Sequence, residues 1–180
     1  MSFASSQPRP MRRTEREVTD PAQVEQILRD CDDMRVAYQD AQGLTIVPVN
    51  FAYTADFETT PHRLTLFAHS AVEGRKIDAI RAAGNALPVA FEMDCDTRIH
   101  TGHTPCATTT EFRSLVGTGT ASLVDDVEEK IAALRLLLEQ CAGMPDAPLL
   151  PRQVSKVAVW RIDVIDFKAK HHPAPARHRD

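Results

Sequence analysis

The sequence predicts an α+β fold: a small antiparallel barrel of about six strands carrying about three helices. Three observations point to it. Apolar runs of period two follow one another through short polar turns, as antiparallel strands do. Only three segments show the 3.6-residue period of a helix, and they do not alternate with strands as a doubly wound parallel sheet requires. The chain has 180 residues, 43% of them hydrophobic and 6% aromatic, which suits one domain around one core.

The first ordered element is a helix capped by Asp20, with Pro21 at its first position, Gln23 in the capping-box place, and Val24, Ile27, Leu28 and Cys31 on one face. Met34 to Gln39 reads as a strand that turns at Ala41-Gln42-Gly43 into a second run, Leu44 to Tyr53, where Val47, Val49, Phe51 and Tyr53 share a face. A Thr-rich loop, 54–62, leads to the strand Arg63–Ala68. A second helix follows, with Ser70 and Glu73 as a capping box, Ile77 and Ile80 as its apolar stripe and Gly84 as its stop. Leu87, Val89, Phe91 and Met93 alternate in the next strand. Phe112–Val124 is a long strand holding Gly117 and Gly119, which mark a bulge, a tight bend or a close backbone approach. The third helix is capped by Asp125 with Glu128 at the third position, and Val127, Ile131, Leu134, Leu138 and Cys141 form its stripe until Gly143 and three prolines break it. Lys156–Phe167 is the last strand.

Residues 1–10 and 171–180 lack periodicity and are expected to be disordered, leaving 11–170 as the folded domain. The net charge is −4, but each end (1–16 and 168–180) carries +3, so the body between them carries −10. An acidic body excludes the continuous basic footprint of a nucleic-acid binder. No run reaches membrane-span length and no signal-peptide core is present, so the expectation is a cytoplasmic protein without membrane partners, its four cysteines reduced. Hydrolase, NTPase and Rossmann readings lack their glycine motifs.

Most chemical information lies in Leu66–Ile77. A strand ends in His69 and Ser70, and a helix begins beside Gly74, Arg75 and Lys76. Free N–H groups, a guanidinium fork, an ammonium and a hydroxyl together suit a phosphate monoester. The alternative is a capped helix with two solvated cations. His69 is the one group there able to change charge near neutral pH, which makes it the candidate catalytic residue. A second constellation, Cys95, His100, His103 and Cys106, offers four potential zinc ligands within one loop, at a spacing that fits no standard finger.

The blocks Met11–Pro21, Ile46–Tyr53, Phe67–Ile77, Arg113–Gly119 and Asp126–Lys130 stand in the order seen in the nitroimidazole-resistance group of the pyridoxamine 5′-phosphate oxidase-like flavoproteins, and the chain resembles that group from about Met11 to Lys170. The resemblance implies a six-stranded split β-barrel that binds FMN, forms a homodimer with flavin at the interface, and passes electrons from a reduced donor to a small organic acceptor. It implies that His69, Ser70, Arg75 and Lys76 hold the phosphate and ribityl end, that Val47, Pro48, Val49 and Asn50 run beside the ring, and that Ser114 approaches it. Phe112 stands where the group carries Tyr, so the resemblance implies flavin binding but no side-chain hydroxyl at that position to meet a substrate. Two further readings are a flavin- or haem-storing module without turnover and a structural protein held by zinc at 95–106.

Overall fold

The computed structural model describes residues 10–175. The ends expected to be disordered lie largely outside those residues; within them, the last strand runs on through His171 and His172, past the expected boundary. In chain order the elements are β1 (Glu17–Val18), α1 (Pro21–Asp30), β2 (Asp33–Asp40), β3 (Gly43–Asn50), β4 (Ala52–Asp56), β5 (Arg63–Ala71), α2 (Arg75–Ala82), β6 (Leu87–His100), β7 (Thr109–Leu123), α3 (Val127–Ala142), α4 (Pro151–Val154) and β8 (Val157–His172).

All eight strands form one antiparallel sheet, in the order β3-β2-β6-β7-β8-β5-β4, with β1 added to β8. This is a split barrel that does not close. Its two end strands, β3 and β4, are joined by the single residue Phe51, so the sheet must roll until its ends meet there. The count is eight rather than the expected six for a physical reason. The run 44–53 keeps one alternation, yet it bends at fully buried Phe51 and pairs with β2 before the bend and β5 after it. Two-residue β1 is too short to carry a period.

The main core fills the barrel with Val36, Phe51, Leu66, Met93, Leu115, Trp160 and Ile162, closed by Ile27 and Leu28 of α1 and by Ile77 and Ile80 of α2. A smaller core lies on the other face of β5 and β8, where Ala133, Leu134 and Leu137 of α3 and Val154 of α4 cover Phe67 and Val159. The β5–β8 pair is therefore buried on both faces, and successive β5 residues look into different cores.

Asp20 caps α1 as expected, its carboxylate accepting from the Ala22 amide at 3.1 Å. The other two caps are corrected. Ser70 and Glu73 form no capping box: Ser70 is still in the ladder opposite Ala158, and α2 starts at Arg75 behind Gly74, whose φ of +128° lets the chain swing off the sheet. Gly84 does end that helix region in the left-handed form (φ +66°), with the Asn85 amide closing on the Ile80 carbonyl at 3.0 Å. α3 is capped by Asp126, which accepts from the Glu129 amide at 2.8 Å, not by Asp125. Its buried face is Ala133, Leu134 and Leu137, and Val127 of the expected stripe is 57% exposed.

Gly117 and Gly119 owe their place to the chain itself. A side chain at Gly117 would strike the Phe91 ring at 2.6 Å, and one at Gly119 would meet the Asp163 carbonyl and Ile162 at 2.6 Å. They let β7 lie tight on its neighbours at the register shift between Thr118 and Gly119. The close backbone approach expected at these glycines is thus made by neighbouring protein groups, beside a register shift. No helix among the described residues is long and apolar enough to cross a membrane.

Candidate functional site

The site is built where β5 leaves the sheet and becomes α2. Alternation along β5 sends Ala68 and Ser70 toward the barrel core and Phe67 and His69 toward α3. On the barrel side, Ser70 lies opposite Ala158 and Ala68 opposite Trp160, so Ser70 and Trp160 are diagonal neighbours on one face. Both carry a buried polar atom with no hydrogen-bond partner among the described residues, Ser70 Oγ and Trp160 Nε1. Lys76, in the first turn of α2, holds its ammonium 4.7 Å from the centre of the Trp160 ring. Burial lowers the Lys76 pKa. Among the described residues no carboxylate lies within ion-pair range of it, and an anion beside it would reverse that effect.

Arg75, the other cation of the pair, is already engaged. Its guanidinium grips Asp40 with Nε and Nη2 at 2.7 and 2.8 Å and donates to the Gly43 carbonyl at 3.1 Å. This staples α2 to the β2–β3 turn, and the hydrogen bonds from Arg75 are the main reason the Asp40 carboxyl titrates below the ordinary carboxylate range. The sequence reading placed Arg75 and Lys76 together as phosphate ligands. The structure leaves Lys76 free and ties Arg75 to the scaffold.

His69 lies on the opposite face of β5, exposed, without a hydrogen-bond partner among the described residues. It shares with Asn50 the mouth of a cavity of about 450 Å³ lined by Leu134, Leu137, Cys141 and Val154. Asn50 donates to the Asp32 carbonyl at 3.1 Å. Val47 and Val49 of β3 pack against the barrel core, and Pro48 and Asn50 face outward along the sheet's free end.

Ser114 stands far from this junction. It pairs with Lys170, whereas Ser70 pairs with Ala158, twelve residues earlier on β8. At about 3.3 Å per residue that is roughly 40 Å of strand.

The second constellation does not converge. Cys95 sits in β6 beside buried Cys31, His100 Nε2 meets Glu111 at 2.8 Å, and His103 and Cys106 are exposed in the following turn. Among the described residues no group of three or more His, Cys, Asp or Glu is gathered to hold a metal. The segment is not the single loop that was expected, since β6 continues to His100 through an irregularity between Cys95 and Arg98. The sequence reading missed Trp160 and Asp40 as site residues. Both had ordinary roles to fill, a core aromatic and a turn carboxylate.

The model of the pyridoxamine 5′-phosphate oxidase family matches residues 20–171. The chain belongs to that family. Among solved structures it is similar to a protein of Bacteroides thetaiotaomicron named for 5-nitroimidazole antibiotic resistance, with 25% identity, a TM-score of 0.69, and 86% of this chain and 85% of that one covered. The flavocytochrome Anf3 of Azotobacter vinelandii shares the fold at 16% identity and a TM-score of 0.74, covering 92% of this chain and 73% of that one. So does a FAD and heme binding protein of Mycobacterium smegmatis, at 14% identity and a TM-score of 0.71, covering 89% and 77%. No curated protein matches the chain.

Proposed function

We propose that the chain binds FMN at the β5–α2 junction and serves as a flavin-dependent oxidoreductase for a small organic acceptor. One observation carries this reading: a buried hydroxyl and a buried indole N–H, both unpartnered, beside an ammonium with no carboxylate. Buried polar groups are almost always satisfied, so such a trio fits a group that brings its own acceptors. A phosphate monoester does so, with Lys76 supplying charge and the Ser70 hydroxyl a donor. Asn50 and His69, on the other face of β5, would then meet the far part of the cofactor where it passes round the edge that β4 leaves unpaired beyond Phe67. When bound, the flavin supplies the electron transfer, and the protein supplies orientation and a dry wall. His69, free of other partners, is the group placed to hold or give a proton there.

A homodimer follows from the same reading. If Ser114 touches a flavin whose phosphate sits at Ser70, roughly 40 Å of strand requires that Ser114 to come from a second copy. The outward-facing Leu44 and Ile46 of β3, 79% and 62% exposed, and Val116 of β7 offer apolar surface for that contact. The family match and the flavin-binding names of two structural neighbours support the cofactor class.

Flavin fluorescence and thermal melting test the reading. Added FMN should be quenched at one per chain and raise Tm, and the loaded protein should oxidise NADH or NADPH when given a 5-nitroimidazole. Absence of quenching and of any rise in Tm would overturn flavin binding. Storage without turnover is the second reading, favoured by the lack of an acid–base partner for His69 among the described residues; binding without acceptor-dependent oxidation would select it.

A further inference from the structure

We propose a second, separate binding site at the opposite end of β8, for a flat heterocycle that carries a cyclic amide or imide edge. It is independent of the flavin reading. β8 changes partners along one edge: β5 follows it as far as Asp163, opposite Thr65, and β1 takes over at Ala169, opposite Val18. From Val164 to Lys168 that edge has no strand partner, although on the other edge all of these residues but Ile165, at the register shift, stay paired with β7. No other backbone hydrogen bond among the described residues reaches these five. The gap is a cavity of about 310 Å³, with the whole 164–169 segment as one wall.

The rest of the wall decides the ligand. Phe57 and His62 meet edge to face at 5.9 Å, and Phe57 and Phe167 tilt together at 6.1 Å, so three rings from two elements line the space. His62 Nδ1 is held by the Thr59 carbonyl at 3.1 Å, which leaves Nε2 as the acceptor of the neutral ring. Asp166, on the wall, has no ion-pair partner among the described residues. An exposed strand edge offers donors and acceptors in alternation, the pattern a lactam or imide edge completes, and aromatic side chains hold a flat ring by stacking. The volume suits a one- or two-ring compound. Pyrimidinediones and pteridinediones have this shape and this edge.

The test uses lumazine (pteridine-2,4-dione) and its 1,3-dimethyl derivative, whose ring N–H groups are blocked, against the full chain with and without FMN. Lumazine should bind with Kd of roughly 10 μM to 1 mM and move the amide resonances of Val164–Lys168. Dimethyllumazine should bind at least about tenfold more weakly, because the edge is read by hydrogen bonds. Phe57→Ala should weaken lumazine about tenfold and leave FMN quenching unchanged. Equal binding of the two compounds, shifts confined to residues outside 164–168, or no binding at about 5 mM would overturn the proposal. Displacement of lumazine by FMN would overturn the separateness of the two sites. Because the methylated compound needs no variant, misfolding of Phe57→Ala does not obscure the result.

Discussion

Two cationic regions of this molecule look alike in composition and differ in what surrounds them. On the β2–β6–β7 surface, Arg35 reaches Asp33, Glu92 and Asp94 at 3.7, 3.6 and 2.7 Å. Arg113 pairs with Asp30 at 2.5 Å and with Asp96. Both of these guanidiniums are neutralised by the chain itself. At the β5–α2 junction Arg75 is likewise consumed by Asp40, but Lys76 faces an indole and an unpaired hydroxyl. The difference teaches that a cation marks an anion site only where its counterion is missing, and a count of basic residues does not show that.

The sharpest test of this contrast removes one cation from each region. Lys76→Ala should weaken FMN about ten- to a hundredfold in a fluorescence titration, whereas Arg113→Ala should leave the affinity within about twofold. Stability should respond in the reverse sense. Arg113→Ala leaves Asp30 and Asp96 facing each other and should cost about 1–2 kcal/mol in urea unfolding, while Lys76→Met should change the apo protein by less than about 1 kcal/mol, as relief of ammonium burial offsets the lost ring contact. Ser70→Ala should weaken FMN roughly three- to tenfold and leave apo stability unchanged or slightly higher, since the hydroxyl it removes is unsatisfied in the unliganded protein.

The smallest effect is on the pH dependence of folding. The Asp30 carboxyl is lowered by hydrogen bonds from Gln26 and Arg113, and that of Asp40 chiefly by Arg75. Groups whose folded pKa is depressed contribute their stabilisation in full above the unfolded value, about 3.9, and lose it as pH falls through the folded value. Unfolding midpoints should therefore drop below about pH 4, and Asp40→Asn should remove part of that slope. A slope unaltered by Asp40→Asn would show that the Arg75 staple contributes nothing to folding.

Much of the fold is legible in the residues. Asp20-Pro21, Gly84 and Gly143 mark helix ends because capping and left-handed geometry are local demands that few residue types satisfy. The hairpin through Ala41-Gln42-Gly43 is equally local, with Gly43 at φ +105°. What escapes is decided by partners. The alternation of 44–53 is continuous through Phe51, and only its two different neighbours, β2 and β5, break it into separate strands. Ser70 and Glu73 have the right spacing for a capping box, but the ladder with β8 holds Ser70 in extended form. The stripe on α3 has the right period and is turned slightly: Ile131 and Leu134 pack as expected, while Ala133 and Leu137 are buried in place of Val127 and Cys141, because burial follows where the β5–β8 face lies beneath the helix.

For the site, the sequence singled out His69, Ser70, Arg75 and Lys76, and pattern alone could do this because a strand end, a glycine and adjacent cations are contiguous. It could not tell that strand alternation sends His69 and Ser70 to opposite faces, or that Asp40, thirty-five residues upstream, claims Arg75. By itself the sequence determined the α+β class and the family, both of which rest on short-range order. Only the tertiary structure decided which of the two cations stands free, and where β8 loses a strand partner. Both depend on long-range pairing, in which what a residue does is set by what the rest of the chain leaves beside it.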